Sequence, residues 1–521
     1  MSGALLVAVD SGTSVVKAVA FSSGGEVVAS AGRPNRFRSA PDGAAEQDMA
    51  QTWDDCASVL ATLAAQLNGA AVAALSVTAQ GDGTWLVDAK GEPAAPAMLW
   101  LDSRAGTLVE RLRAGGEARA AFAFTGSGLN ACQQSAQLLW LRANRREVLA
   151  RATTAMHCKD WLYFKLTGAR ASDPSEACMT FGDYRTRNYQ RAVLQALGMA
   201  ELERLLPPIV DGTMCACPLT RAAAVRTGLT PGLPVVLGYL DTVCTGLGAG
   251  LYGSREETGV SILGSTAMHL KLVADPDDVV PGAGMTGYCK PFPVPRHTMQ
   301  AQTSMAATLN MDWLADLVRD AMRLAGTEPL DRIAILRAID HAVAGAKPAA
   351  ALYHPFVSVA GERGPFVNGL ARAALLGIDQ HTGLAELARG IYEGLGLAAL
   401  DCYLAMGDVP RTVRVTGGAA RSAIMRQILA ACLNRAVSGA ARDEAGAAGA
   451  AMIAAVSTGL YPDMAACAAS WITPRDTEPT LPDAALVAAY QEMFPIYRES
   501  YGLMPPIWRS LHAARRARNG L

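Results

Sequence analysis

Residues 5–21 read LLVAVDSGTSVVKAVAF. The run 5–9 is apolar and of strand length, and 15–21 reads as a second strand rich in β-branched residues. Between them Asp10-Ser11-Gly12-Thr13-Ser14 brings one carboxylate, three hydroxyls and a glycine into a tight turn. Backbone N–H groups and hydroxyls at such a tip suit a phosphate, and a carboxylate at a strand end suits a cation. The same letters also suit an ordinary hairpin, so the choice falls to the rest of the chain.

Length comes first. A chain of 521 residues exceeds one ordinary core, which predicts two large domains. Hydrophobic residues make up 51% and charged residues 18%, with 46 basic against 47 acidic side chains. That balance asks for neither nucleic acid nor an anionic membrane as partner. The eleven cysteines lie singly except Cys215-Ala216-Cys217, with no zinc spacing, which fits small buried thiols in a reducing cytoplasm. The amino terminus lacks the basic and apolar regions of a signal peptide. The apolar stretch 445–460, rich in alanine and glycine, is short of the roughly 20 residues of a membrane span and reads as a buried helix.

Further along, 27–31 reads as a third strand of an antiparallel meander and 49–67 as an amphipathic helix. Strand 71–79 ends at Gln80-Gly81-Asp82-Gly83, and 98–104, MLWLDSR, reads as a strand with a carboxylate and a guanidinium at its end. Residues 133–152 read as a helix, and Asp173-Pro174 starts another. Strand 234–238 leads to Tyr239-Leu240-Asp241 and then to a glycine-rich helix over 242–251, where the domain junction is placed. Residues 257–263, Gly264-Ser265-Thr266 and 268–274 repeat the opening strand, turn, strand design, which suggests a duplicated domain. Strand 412–416 runs into Gly417-Gly418-Ala419-Ala420 and a helix over 422–434, an arrangement that lets a nucleotide approach the backbone.

Taken together, these pieces resemble the FGGY carbohydrate kinases, the family of glycerol kinase, xylulokinase and ribulokinase. DSGTSVVKAVAF resembles the first phosphate motif, AEQDMAQTW the EQDP…W stretch, LGSTAMH the second phosphate motif, VTGGAARSAIMRQILA the adenosine motif, and EAGAAGAAMIAA the last small-residue helix. Met49 stands where proline is usual, Gln137 where lysine is common, and Thr242 where relatives carry asparagine or glutamine. The resemblance implies an α/β fold of two actin/hexokinase/Hsp70-like (ribonuclease H-like) ATPase domains around a central cleft. The boundaries it implies are 1–248 on the substrate side, 249–495 on the nucleotide side, and a helical tail over 496–521.

The resemblance also implies roles. Asp241 is the expected base, accepting the proton of an alcohol as the P–O bond forms; an N-cap aspartate is the plain alternative. Gln80, Asp82, Asp241 and Thr242 are the expected contacts to a sugar or polyol, through paired hydrogen bonds to hydroxyls. Ser11, Gly12, Thr13, Gly264, Ser265, Thr266, Gly417, Gly418, Ala419 and Ser422 are the expected ATP contacts. Asp10 is the expected Mg²⁺ residue. Asp102 and Arg104 are expected to buttress the cleft, and His157, His269 and His381 to be structural. The implied acceptor is a small polyol, a four-carbon one first, with a pentulose or pentitol kinase as the alternative. An actin- or chaperone-like ATPase is the rival of a different class. Relatives are often dimers or tetramers, so a homodimer is compatible with the resemblance, in a cytoplasmic protein without nucleic-acid or membrane partners.

Overall fold

The computed structural model describes residues 3–253, 257–440, 442, 444–475 and 477–518. The opening stretch forms β1 (Leu5–Ser11) and β2 (Val15–Phe21), antiparallel from Leu6 opposite Phe21 to Ser11 opposite Val16. Strands β3 (Val27–Pro34), β4 (Val72–Ala79), β5 (Cys217–Pro218) and β6 (Pro234–Leu237) complete a sheet of order β5-β6-β4-β1-β2-β3. Because side chains alternate along a strand, Val7 and Val9 enter one core while Leu6 and Ala8 enter another. Two covered faces explain why β1 is continuously apolar rather than alternating.

The second half repeats the plan. Strands β7 (Thr258–Leu263), β8 (Ala267–Val273), β9 (Tyr288–Pro291), β10 (Thr298–Ser304), β11 (Thr412–Thr416) and β12 (Ala436–Gly439) take the order β9-β10-β8-β7-β11-β12. In both sheets an antiparallel hairpin gains a third antiparallel strand on one side and two parallel strands on the other. The duplication read from the sequence is therefore one of topology.

Helices α1 (Met49–Gln66) and α2 (Cys158–Thr167) cover the outer face of the first sheet, sharing its core through Trp53, Leu60 and Trp161. Helix α3 (Pro174–Phe181) starts at Asp173, whose carboxylate accepts from the N–H groups of Ser175 and Glu176. Helix α4 (Asp241–Gly248) follows β6. In the second half lie α5 (Leu384–Leu404), α6 (Ala423–Leu433), α7 (Ala445–Ser457), α8 (Ala484–Gly502) and α9 (Pro505–Arg518). Helix α7 packs on α4 and also on β1 and β4, so the second half reaches into the first. All its residues from 445 to 455 are buried, which accounts for a composition almost free of polar groups.

Three local expectations differ from the structure. The helix expected over 133–152 is two, Gln134–Asn144 and Arg146–Arg151, broken at Arg145 where φ is −140°. The strand expected over 98–104 is confined to Ala97–Met98. Beyond it the Asp102 carboxylate accepts from the Ala45 N–H and from Arg104, which fixes a turn instead. The boundary expected between 495 and 496 falls within α8, and residues 519–521 of the expected tail lie outside the described residues.

Candidate active site

Two cavities meet at the tip of the β1–β2 hairpin. Thr13 borders the smaller, about 230 Å³. Gly12 and Ser14 border the larger, about 810 Å³. The β7–β8 hairpin supplies Thr266 to the smaller cavity, so the two Gly/Ser/Thr turns read from the sequence face one space from opposite halves. Gly264 and Ser265 stand beside Thr266 on that tip, where their carbonyls accept from Thr308 and Ala307.

Asp241, Thr242 and Asp82 line the smaller cavity. Asp241 is the first residue of α4 and is partly buried. Burial, with the Asp10 carboxylate second, pushes its pKa up to about 7, against a smaller opposing pull from Lys290. Lys290 comes from β9 and donates to Thr242 Oγ1 at 2.9 Å. Its own pKa is lowered by burial. A carboxyl that ionises near neutrality at the mouth of a helix, facing a small polar space, is equipped to take a proton.

Asp82 sits in a turn with φ +55°. Its N–H donates to Glu176 Oε1 at 2.7 Å, and its Oδ2 accepts from Cys132 Sγ at 3.4 Å. Behind it lies a fully buried chain of charged groups. Lys159 Nζ pairs with Asp160 at 2.7 Å and Asp173 at 2.6 Å, and His157 lies 3.2 Å from Asp160 and 3.7 Å from Glu176. Ser175, bonded to Asp173, accepts from the Leu240 N–H at 3.0 Å. The chain thus ties the loop of Asp82 to the residue before Asp241. Burial dominates the rise of the Glu176 pKa to about 7, opposed by His157 and Lys159.

The larger cavity takes Asp10, Lys17 and Glu444 along with Gly417 and Gly418. Lys17 and Glu444, from different halves, form an ion pair of 2.8 Å. Burial and the Glu444 carboxylate raise the Asp10 pKa to about 6. Gly417 has φ +94°, and a Cβ there would lie 2.5 Å from the Leu263 carbonyl oxygen, so glycine alone fits this turn at the cavity's edge. Among the described residues no group of three His, Cys, Asp or Glu forms a metal cage. One crowded carboxylate beside a roomy polar cavity fits a Mg²⁺ ion that brings phosphate and water ligands with it.

Besides Gly264 and Ser265 on the β7–β8 tip, four expected contacts border neither cavity. Ser11 is fully buried, its Oγ 4.0 Å from Cys158 Sγ, because β1 continues through it. Gln80 is buried and bonded to Thr13 and Gln47. Ala419 is buried. Ser422 spends its hydroxyl capping α6 through the Met425 N–H, the ordinary role of a serine before a helix. Asp102 and Arg104 form a buried pair, with Arg104 over the Trp140 ring. Lys290, Arg363, Glu176 and Glu444 were not singled out from the sequence. A lysine in an otherwise apolar strand at 288–291 and an Asp-Pro-Ser-Glu helix start were the only local signals.

The model for the N-terminal domain of the FGGY family of carbohydrate kinases matches residues 5–248, and that for the C-terminal domain matches 259–458. The chain is 46% identical over 515 residues to the erythritol kinase of Brucella abortus (strain 2308), covering 98% of this chain and 99% of that one. It is 28% identical to the xylulose kinase of Escherichia coli (strain K12), covering 96% and 100%. The structure of a ligand-bound xylulose kinase from Lactobacillus acidophilus has the same fold, with a TM-score of 0.87 at 20% identity over 97% of this chain and 99% of that one.

Proposed function

The chain belongs to the FGGY family of carbohydrate kinases, and on that footing we propose that it transfers a phosphoryl group from ATP to a terminal hydroxyl of erythritol. The observation that carries the reading is Asp241, a carboxylate facing a small cavity at the point where the two hairpin tips converge. At about 230 Å³ that cavity is smaller than the roughly 300–1,000 Å³ typical of larger ligands, which suits a four-carbon polyol. The 46% identity to an erythritol kinase over nearly the whole chain supports the same acceptor.

In this reading ATP occupies the larger cavity, its adenosine toward Gly417 and Gly418 and its phosphates toward Gly12. The acceptor lies in the smaller cavity with one terminal hydroxyl against Asp241. Its oxygen attacks the γ-phosphorus, the bond to the bridging oxygen of ADP breaks, and the hydroxyl proton passes to the Asp241 carboxylate. Lys290 holds Thr242 and biases Asp241 toward its ionised form. Mg²⁺, held by Asp10 when bound, supplies charge neutralisation at the phosphates. Closing the two halves over both ligands excludes water, the competing nucleophile.

A cytoplasmic location is part of the same proposal, and the eleven cysteines, free of disulfides, support it by suiting a reducing compartment. Among the described residues no helix is long and apolar enough to cross a membrane.

An ADP-coupled assay over tetritols, pentitols and ketopentoses tests the proposal. Turnover of erythritol with the highest kcat/KM supports it. A ketopentose as the preferred substrate, or ATP hydrolysis indifferent to every acceptor, overturns it.

A further inference from the structure

We propose that Arg363 binds the end of the acceptor that is not phosphorylated, and that with Asp82 it sets the length of polyol the cavity takes. The inference rests on the kinase reading above and adds to it a specificity residue from the second half of the chain.

The loop carrying Arg363 is pinned. The buried Glu362 carboxylate accepts from the Met305 N–H at 2.9 Å, the Arg363 N–H at 2.8 Å and Ser304 Oγ at 3.0 Å. Those bonds fix the loop to the end of β10 and aim Arg363 into the smaller cavity. There its guanidinium has little to hold. Among the described residues no carboxylate lies within 4 Å of it, and its bond from Nη1 goes to Cys132 Sγ at 3.7 Å, a weak acceptor.

Across the cavity, Asp82 Oδ1 is buried without a hydrogen-bond partner. Its other oxygen accepts from the same Cys132 thiol. An unspent acceptor from one half and a donor fork from the other, engaged only by the Cys132 thiol and the Tyr288 hydroxyl, therefore meet at Cys132. Buried polar groups are rarely left so. A hydroxyl completes the pair, donating to Asp82 Oδ1 and accepting from the guanidinium. The two opposite charges at this corner balance, so it suits a neutral hydroxyl and repels neither sign. Asp241 takes one terminal hydroxyl and this corner takes the far end, so the distance between them measures the acceptor. A longer chain has to displace the guanidinium.

Arg363→Ala, Arg363→Lys and the parent enzyme, assayed with a tetritol and with a pentitol, test the assignment. Arg363→Ala is expected to raise the tetritol KM by about ten- to a hundredfold, as loss of a hydrogen bond to a charged group does. The KM for ATP should stay within about twofold, and the tetritol-to-pentitol ratio of kcat/KM should fall about tenfold. Arg363→Lys keeps the charge without the fork and should recover part of that ratio; it reads the same ratio if the alanine variant fails to fold. An unchanged ratio in the folded variants overturns the proposal, as does a four-carbon aldonate outcompeting the tetritol in the parent enzyme. Should the parent prefer another polyol, the erythritol assignment fails, while the same ratio between that polyol and its one-carbon-longer homologue still tests Arg363.

Discussion

A side chain on Gly449 would have to occupy the space of the Cys244 carbonyl oxygen, since a Cβ built there lies 1.9 Å from it. The approach is reciprocal: a Cβ on Gly248 would lie 2.0 Å from the Ala445 carbonyl oxygen. Helices α4 and α7 therefore touch backbone to backbone, and α4 is the helix that presents Asp241.

That contact makes a prediction about stability and rate together. Gly449→Ala cannot relax by rotating a side chain, because the atom it meets is main chain. Its helix propensity improves by up to about 1 kcal/mol, yet overpacking costs about 1–3 kcal/mol, and the second should win. Chemical denaturation should show a net loss, and kcat should fall with it as α4 is displaced.

Removing the base separates chemistry from binding. Asp241→Asn should lower kcat by several orders of magnitude, with ADP affinity by calorimetry within about twofold. Its stability should move the other way at high pH. The folded pKa of about 7 lies above the ordinary 3.8, so Asp241 favours the fold below pH 4, and that advantage is lost as pH rises through 7. The asparagine variant should melt above the parent at pH 8 and close to it at pH 4. A variant with near-normal kcat removes Asp241 from the role of base.

The pH profile should carry the mark of Lys290. With Asp241 ionising near 7, kcat/KM for the acceptor should rise through that pH. Lys290 pulls the Asp241 pKa down, so Lys290→Met should shift this limb to higher pH. A limb that stays in place shows that the rate is governed by another group.

Magnesium should act through Asp10. In the parent, ADP with Mg²⁺ should raise Tm more than ADP alone, because the ion binds the folded state between nucleotide and carboxylate. In Asp10→Asn the two melting curves should coincide. An equal magnesium effect in both proteins removes Asp10 from the metal.

Much of this architecture was legible where a pattern is local. The apolar runs flanking Asp10–Ser14 could only be strands, and the repeat at 257–274 announced a second sheet of the same plan. That Asp241 borders the cavity was legible from its resemblance to the family motif, with a strand end and spaced glycines bracketing it. Arg363 was not, because it meets Asp82 and Cys132 only after residues far apart in sequence fold onto one corner. Ser422 and Gln80 show the converse. Each sits in a motif that invites a ligand, yet the Ser422 oxygen already caps α6 and both ends of the Gln80 amide are bonded within the protein. Sequence reveals which groups could bind, and only the fold shows which remain free to do so.

The wiring around Thr13 carries one more consequence. Trp100 Nε1, which can only donate, bonds to Thr13 Oγ1 at 2.7 Å, and that hydroxyl passes its own hydrogen to Gln80 Oε1 at 2.9 Å. Gln80 donates onward to Gln47, Gln47 to Asn35, and Asn35 to the carbonyl of Gly12. The relay runs one way, from an indole to a peptide oxygen, and it ends on Gly12, the neighbour of Thr13. With its proton already assigned, Thr13 has only a lone pair to offer. An incoming oxyanion must then find its donors on this side in the other groups that line the turn, the Ser14 hydroxyl and Lys17 among them.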